Sequence, residues 1–210
     1  MGKYTGPSCK LCRREMQPLM LKGQRCLTDK CVLKGKKKYP PGPPKKKRSK
    51  MSDYAVMLRE KQKIKRSYGL LEKQFRLLFD DANRMKGVTG DNMLSLLERR
   101  LDNVIYRMGF ASSRRQARQL VQHGHVMVNN VLVNISSFSL KENMTIEIRE
   151  YHKANTLMDD SIKLAKATDS IPEWVSVDFD KKTGKITRLP IRSDIKAVFN
   201  EQLVVELYSK

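Results

Sequence analysis

Apolar residues recur at helical spacing through the middle of the chain and then change to alternation, which predicts helices first and short strands after them. Ser52 caps a helix over 53–68 that turns Tyr54, Met57, Leu58, Ile64 and Tyr68 inward. It leaves Arg59, Lys61, Lys63, Lys65 and Arg66 in solvent, and Gly69 stops it. A second helix over 71–86 repeats Phe75, Leu78, Phe79, Ala82 and Met85, the strongest core stripe in the chain. Gly87-Val88-Thr89-Gly90 reads as a turn, after which Asp91 caps a helix carrying Leu94, Leu97 and Leu101.

Two short basic helices follow. Leu101, Val104, Ile105 and Met108 form an apolar stripe, which puts Arg100, Asn103 and Arg107 on another face at i, i+3, i+7. Ser113 opens the next helix, and Gln116 three residues on completes a capping box. Ala117, Leu120 and Val121 face inward there, while Arg114 and Arg118 align at i, i+4 beside Arg115 and Gln119. Gly124 supplies the left-handed residue that ends it. Like charges gathered at such an elbow repel one another until phosphates lie opposite, because guanidinium groups hydrogen-bond phosphate oxygens in pairs.

The alternation after Gly124 gives a hairpin. Val126 and Val128 run out, Asn129-Asn130 makes a two-residue turn in which both tolerate positive φ, and Val131 and Val133 return. Ile146 and Ile148 continue the sheet. A helix over 152–166 places Leu157, Ser161, Ile162 and Ala165 on one side, and 174–179, 186–189 and 203–208 read as strands, the first connection being Lys181–Lys185 with its Gly184.

Charge narrows the partner. The 210 residues carry a formal +21, and residues 1–50 hold 16 Lys/Arg against 2 acids. That is an arm suited to be neutralised by a backbone of phosphates. Lys36, Lys37 and Lys38 flank one side of Pro40, Pro41, Pro43 and Pro44, and Lys45, Lys46, Lys47 and Arg48 the other, in an extended linker suited to run along an RNA groove. A nuclear-localisation reading of the KKKR run leaves the rest of the chain unexplained. No apolar run reaches a membrane span and no signal-peptide core opens the chain, so a cytoplasmic setting is expected.

All four cysteines lie in this arm, at Cys9, Cys12, Cys26 and Cys31, a C-x2-C-x13-C-x4-C spacing that suits two knuckles around one tetrahedral zinc. The arm has too few large apolar residues to fold alone, so a metal would replace the missing core. Lys10, Arg13, Arg14 and Arg25 would favour thiolates. Disulfides, four free thiols and an iron–sulfur cluster use the same residues and stay open.

The run Arg99–Asn134 resembles the S-four RNA-binding domain. The flanking MGKYTGP, SDYAVMLREKQK, ERRLDNVIYRMGF and NEQLVVELYS resemble the small-subunit ribosomal protein S-four family from end to end. Metal-free arms exist in that family, and a Pro-Gly-Asp turn usually stands where this chain has Lys141-Glu142-Asn143. The resemblance implies an α+β fold in four parts: a zinc-knuckle basic arm over 1–51, a mostly helical body over 52–98, an inserted module of two helices and a small antiparallel sheet over 99–165, and C-terminal strands over 166–210 that rejoin the helical body. It also implies a structural constituent of the small ribosomal subunit that binds small-subunit rRNA at a multi-helix junction, nucleates 30S-type assembly and helps form the mRNA entry region among neighbouring ribosomal proteins.

The expected RNA contacts are Arg100, Asn103, Arg107, Ser113, Arg114, Arg115, Arg118, Gln119 and His123, together with the two lysine clusters. The His123-Gly124-His125 run lacks acidic partners for a metal, and hydrogen bonding suits it better. No catalytic motif is present: neither H-x-E with P-C-x-x-C, nor G-x-S-x-G, nor a phosphate-binding glycine loop. The rival class is a free-standing RNA chaperone built on the same module. On this reading, truncating Arg107 and Arg114 together weakens RNA binding and leaves the fold intact.

Overall fold

The computed structural model describes residues 2–35, 39–43, 50–153, 156–168, 170–196 and 198–209. Along the chain run α1 (Ser8–Glu15), a 3-10 turn (Gly23–Cys26), α2 (Asp53–Ser67), α3 (Glu72–Arg84), α4 (Thr89–Glu98), α5 (Leu101–Arg107) and α6 (Arg114–Gln122). Then come β1 (Val126–Val128), β2 (Val131–Leu132), β3 (Thr145–Ile148), α7 (Glu150–Lys153), α8 (Thr156–Ala167), β4 (Val175–Asp178), β5 (Thr183–Ile186) and α9 (Glu201–Ser209). These divide into two compact units, Met1–Met93 with Ala197–Lys210, and Leu94–Lys196.

In the first unit the Ser52 hydroxyl accepts the Ala55 N–H at 3.3 Å, and Gly69, at φ 68°, closes α2 with Leu70 N–H on the Lys65 carbonyl. Met57, Ile64, Tyr68, Phe75, Phe79, Ala82 and Met93 are buried. Tyr54 and Met85, expected inside, are exposed. Lys61, expected in solvent, is buried, because its ammonium reaches Glu72 at 2.5 Å. α4 starts at Thr89, ahead of the expected Asp91 cap, so Gly90 is helical; a Cβ there would meet Glu201 Cγ at 2.8 Å.

Residues 203–208 form no strand: they lie in α9. Val204 and Val205 suggest β structure by their branching, but Leu203, Val204, Leu207 and Tyr208 also fit a helical stripe, and packing on α2 and α3 decides for it. Val204 is fully buried, the Asn200 side chain accepts the Leu203 N–H, and the Tyr208 ring sits 4.5 Å from Phe79.

The second unit is a five-stranded antiparallel sheet in the order β2-β1-β3-β5-β4. Asn129 and Asn130 both take positive φ in the β1–β2 turn, and Asn143 takes the left-handed position before β3. The C-terminal strands, expected to rejoin the helical body, pair instead with the free edge of β3, Ile146 opposite Gly184. Their turn lies at 179–182, with Lys182 at φ 52°, and not at the expected 181–185, so the second strand is Thr183–Ile186 and not 186–189. Gly184 sits within β5, where a Cβ would meet Met108 Cε at 2.7 Å. α8 buries Met158, Ser161, Ile162 and Ala165, while Leu157 is exposed. The sheet packs its apolar face on Leu101, Val104, Ile105, Met108, Leu120 and Val121, with Trp174 wholly inside.

Glu72 ties α9 to this helical body. Burial opposes its ionisation, but hydrogen bonds from Lys61 and Lys65 and their charges outweigh that and hold its pKa at about 2. The same carboxylate accepts the Tyr208 hydroxyl at 3.2 Å. A carboxylate held below its ordinary 4.5 stabilises the fold above pH 4.5 and loses that contribution as pH falls toward 2. Glu72→Gln is therefore expected to lower stability by about 1 kcal/mol near neutrality, a figure kept small because the group is half exposed. The difference from wild type should vanish by pH 2, as urea unfolding at stepped pH will read; a pH-independent difference would contradict the assignment.

Candidate nucleic-acid interface

Residues 98–123 hold six arginines and two acids, and the acids decide where the arginines point. Arg100 does not continue the helical line of Asn103 and Arg107. It precedes α5 with extended backbone and bridges to Ser139, while Leu101 N–H donates to the Phe138 carbonyl at 2.9 Å. Its guanidinium turns inward onto Asp102 through two hydrogen bonds of 3.1 and 3.0 Å. Arg118 reaches the same carboxylate at 3.0 and 2.7 Å. Arg100, Asp102 and Arg118 are all buried, so two of the arginines expected to face RNA form an internal triad.

A second cluster stands beside it. Glu98 is buried and takes a paired contact from Arg107 at 2.9 and 2.6 Å, as well as the Asn103 amide at 2.6 Å. With its N–H₂ spent on Glu98, Asn103 offers its oxygen to Arg114 Nε at 2.7 Å. The Arg114 guanidinium then lies over the Tyr106 ring, 4.7 Å from its centre. Asn103, expected to reach sugars or bases, is buried as an orienting residue, and Arg107 is half-buried against Glu98. The expectation that Arg107 and Arg114 can be cut back without structural cost is thereby corrected: removing Arg107 leaves Glu98 buried without its cation.

What remains outward is the far face of α6. Ser113 caps this helix through the Gln116 N–H at 3.4 Å and is itself buried. Gln116 reaches one residue further back than a capping box requires, accepting from the Ser112 N–H and hydroxyl at 2.8 and 2.7 Å. Arg115, Gln119 and His123 are exposed at i, i+4 and i+8, and Arg114 is half-exposed one position away. Lys36, Lys37, Lys38, Lys45, Lys46, Lys47 and Arg48 lie outside the described residues.

In the arm, Cys9 and Cys12 stand at i, i+3 on α1 and line one small pocket with Cys26, Cys31, Lys22, Arg25 and Lys30. All four are free thiols, with no disulfide between them. Burial pushes the Cys12 and Cys26 thiols up, and neighbouring cysteines push them further. The Lys22 backbone N–H donates to Cys26 Sγ at 3.3 Å. Among the described residues no three His, Cys, Asp or Glu side chains are drawn together at metal-binding range. The arm is fastened to α2 by Glu15, whose buried carboxylate takes Arg59 at 3.3 Å and also Arg66. Burial still pushes the Glu15 carboxyl up against the pull of both guanidiniums, and its Oε2 makes no hydrogen bond.

Glu98, Asp102 and Tyr106 were missed as parts of the site from sequence. The signal was there: they are the only two acids in an arginine-rich stretch, and a tyrosine one turn from an arginine's partner.

A sheet backed by an arginine-lined helical elbow is the architecture of a small RNA-binding module, and the chain matches two families along its length. Residues 3–98 match the ribosomal protein S4/S9 N-terminal domain family, and residues 99–146 match the S4 domain family. Proteins called small ribosomal subunit protein uS4 from Trichlorobacter lovleyi, Geotalea daltonii and Geobacter sulfurreducens are 56%, 53% and 51% identical to it, in each case over the full length of both chains. The chain belongs to the ribosomal protein uS4 family, a family of structural proteins and not of enzymes. The sheet, however, runs beyond the S4 match, since β4 and β5 lie at 175–186.

Asp102→Ala should cost about 3–5 kcal/mol, because it strands two buried guanidiniums, whereas exposed Arg115→Ala should change stability by less than about 0.5 kcal/mol. Urea unfolding of both variants checks this; equal stabilities would mean that the triad carries no weight.

Proposed function

We propose that this chain is a structural component of the bacterial small ribosomal subunit, working in the cytoplasm, which binds small-subunit rRNA directly and holds several of its helices in one arrangement. The observation that carries the reading is the segregation of charge at the elbow: both acids are buried, and Arg114, Arg115, Gln119 and His123 line the outward face of α6. A phosphate backbone is the partner that such a face fits, and guanidinium is the group that recognises it in pairs. Full-length relatives are named small ribosomal subunit proteins, which agrees with a place in that particle.

The finer reading rests on the spread of cations. Basic side chains stand both in the N-terminal arm and on α6, so one molecule can neutralise phosphates of more than one RNA helix and favour the arrangement in which those helices meet. We assign it to a multi-helix junction, to early nucleation of subunit assembly, and to the mRNA entry region beside neighbouring ribosomal proteins. Arg100, Asn103, Arg107 and Arg118 act there by positioning, and Arg114, Arg115, Gln119 and His123 by contact, joined by the lysine clusters of the linker.

A structural zinc held by Cys9, Cys12, Cys26 and Cys31 completes the proposal. Four sulfur donors line one pocket, which suits zinc, and their mutual repulsion as thiolates calls for a cation among them. The ion would supply cross-linking of α1 to the loop that follows it, in place of an apolar core. An iron–sulfur cluster would take the same ligands.

Two measurements test these readings. Arg115→Ala with Gln119→Ala is expected to weaken binding to the 5′ domain of small-subunit rRNA and to lower the slope of log K against log salt by about one, with unchanged unfolding; an unaltered slope removes α6 from the interface. Native protein should contain one zinc per chain by elemental analysis, lost in a Cys9→Ser, Cys12→Ser variant, and iron in its place would assign the cluster instead.

A further inference from the structure

Where the exposed face of α6 ends, His123 is the first of a group of rings whose other members, His125 and Tyr151, the phosphate contacts do not use. His123 is exposed at the helix terminus, and its ring centre lies 5.9 Å from that of His125. His125 meets Tyr151 edge to face at 5.4 Å, and its Nδ1 is 2.6 Å from the tyrosine hydroxyl. The Arg149 guanidinium lies over the Tyr151 ring at 4.9 Å. Tyr151 nonetheless keeps 62% of its surface in solvent.

The backbone beneath these rings is fixed. His125 N–H donates to the Leu120 carbonyl at 3.1 Å and Arg149 N–H to the His125 carbonyl at 3.0 Å, so the helix end and the residue after β3 are stapled together. Gly124, at φ 71°, makes the reversal that brings the two histidines side by side. An exposed aromatic side chain normally loses rotamer freedom on binding, whereas this tyrosine is already held by a hydrogen bond and a cation–π contact.

We propose that the exposed ring of Tyr151, held by His125 and Arg149 and flanked by His123, is the platform on which one unpaired nucleobase of the bound RNA stacks. The inference rests on the rRNA-binding reading and deepens it. Charge continuity favours RNA over a protein partner: Arg115, Gln119 and His123 follow one exposed line, about 12 Å long at 1.5 Å per residue, from the guanidinium to the platform. No acid occurs between Arg114 and His125, and Glu150 is the acid next to the platform in sequence. A strand whose phosphate is held by Arg115 therefore meets rings at the other end of the same helix, the pairing of electrostatic groove and stacking surface that single-stranded RNA requires.

The test uses the full chain with two probes: the 5′ domain of small-subunit rRNA, and a single-stranded RNA octamer carrying one central 2-aminopurine. Tyr151→Ala should weaken rRNA binding about five- to 150-fold while leaving the salt slope unchanged, since stacking releases no counterions. Tyr151→Phe, which keeps the ring and loses the hydroxyl, should bind within about threefold of wild type. Wild type should quench the octamer's fluorescence, and Tyr151→Ala should bind it at low salt without quenching. Wild-type rRNA affinity in Tyr151→Ala, or octamer binding by wild type without quenching, overturns the platform while the rRNA function stands. Quenching of the octamer by a wild type that ignores the rRNA would overturn the function and leave the platform.

Discussion

Two buried carboxylates, Asp102 and Glu98, are the constraint on which the elbow depends. Each accepts two hydrogen bonds from at least one arginine, and together they engage Arg100, Arg118, Arg107 and Asn103. A buried ion pair is not in itself a strong source of stability, because desolvating the charges offsets much of their attraction. What the arrangement supplies is direction. It fixes the junction between α5 and α6, and through Asn103 it fixes the plane of Arg114, so that half-exposed cation is held in place before any ligand arrives. A polyanion meeting Arg114 would then lose less to side-chain ordering than with a freely rotating arginine there.

The same logic recurs at smaller scale in the other unit. Glu15 clamps the arm to α2 through Arg59 and Arg66, and Glu72 clamps α9 through Lys61, Lys65 and Tyr208. In a chain of net charge +21, each of the few acids is a scarce resource, and those placed inside relieve repulsion among cations that the outer surface needs. An acid left on the surface would instead compete with phosphate for the same guanidinium.

Much of the fold could be read from periodicity alone. The α2 cap at Ser52, the core of α3 and the Asn129-Asn130 turn all follow from local chemistry that no tertiary contact overrides. The failures share a cause. Residues 203–208 look like a strand by β-branching, yet α2 and α3 supply a face that a helix fits better. The pairing of β5 with β3 is a long-range choice that spacing does not encode. At the elbow, counting arginines on a helical wheel put Arg100, Asn103 and Arg118 on an outer face, whereas all three are buried. A wheel assumes that the helix already runs at Arg100, and it gives no weight to a single acid two residues on.

That error has a general physical content. Hydrophobic periodicity finds the face that leaves water, but a charged residue can leave water too when its partner leaves with it. Asp102 is a single residue among arginines and contributes little to any composition or moment. It nevertheless withdraws two guanidiniums from the surface and so sets which cations remain outside. The outward face is therefore defined by subtraction: Arg115, Gln119 and His123 stand exposed along it, and Arg114 is held halfway by the amide oxygen of Asn103. In a strongly basic protein the binding surface is thus written in the positions of its acids, because each acid fixes where a neighbouring cation is spent.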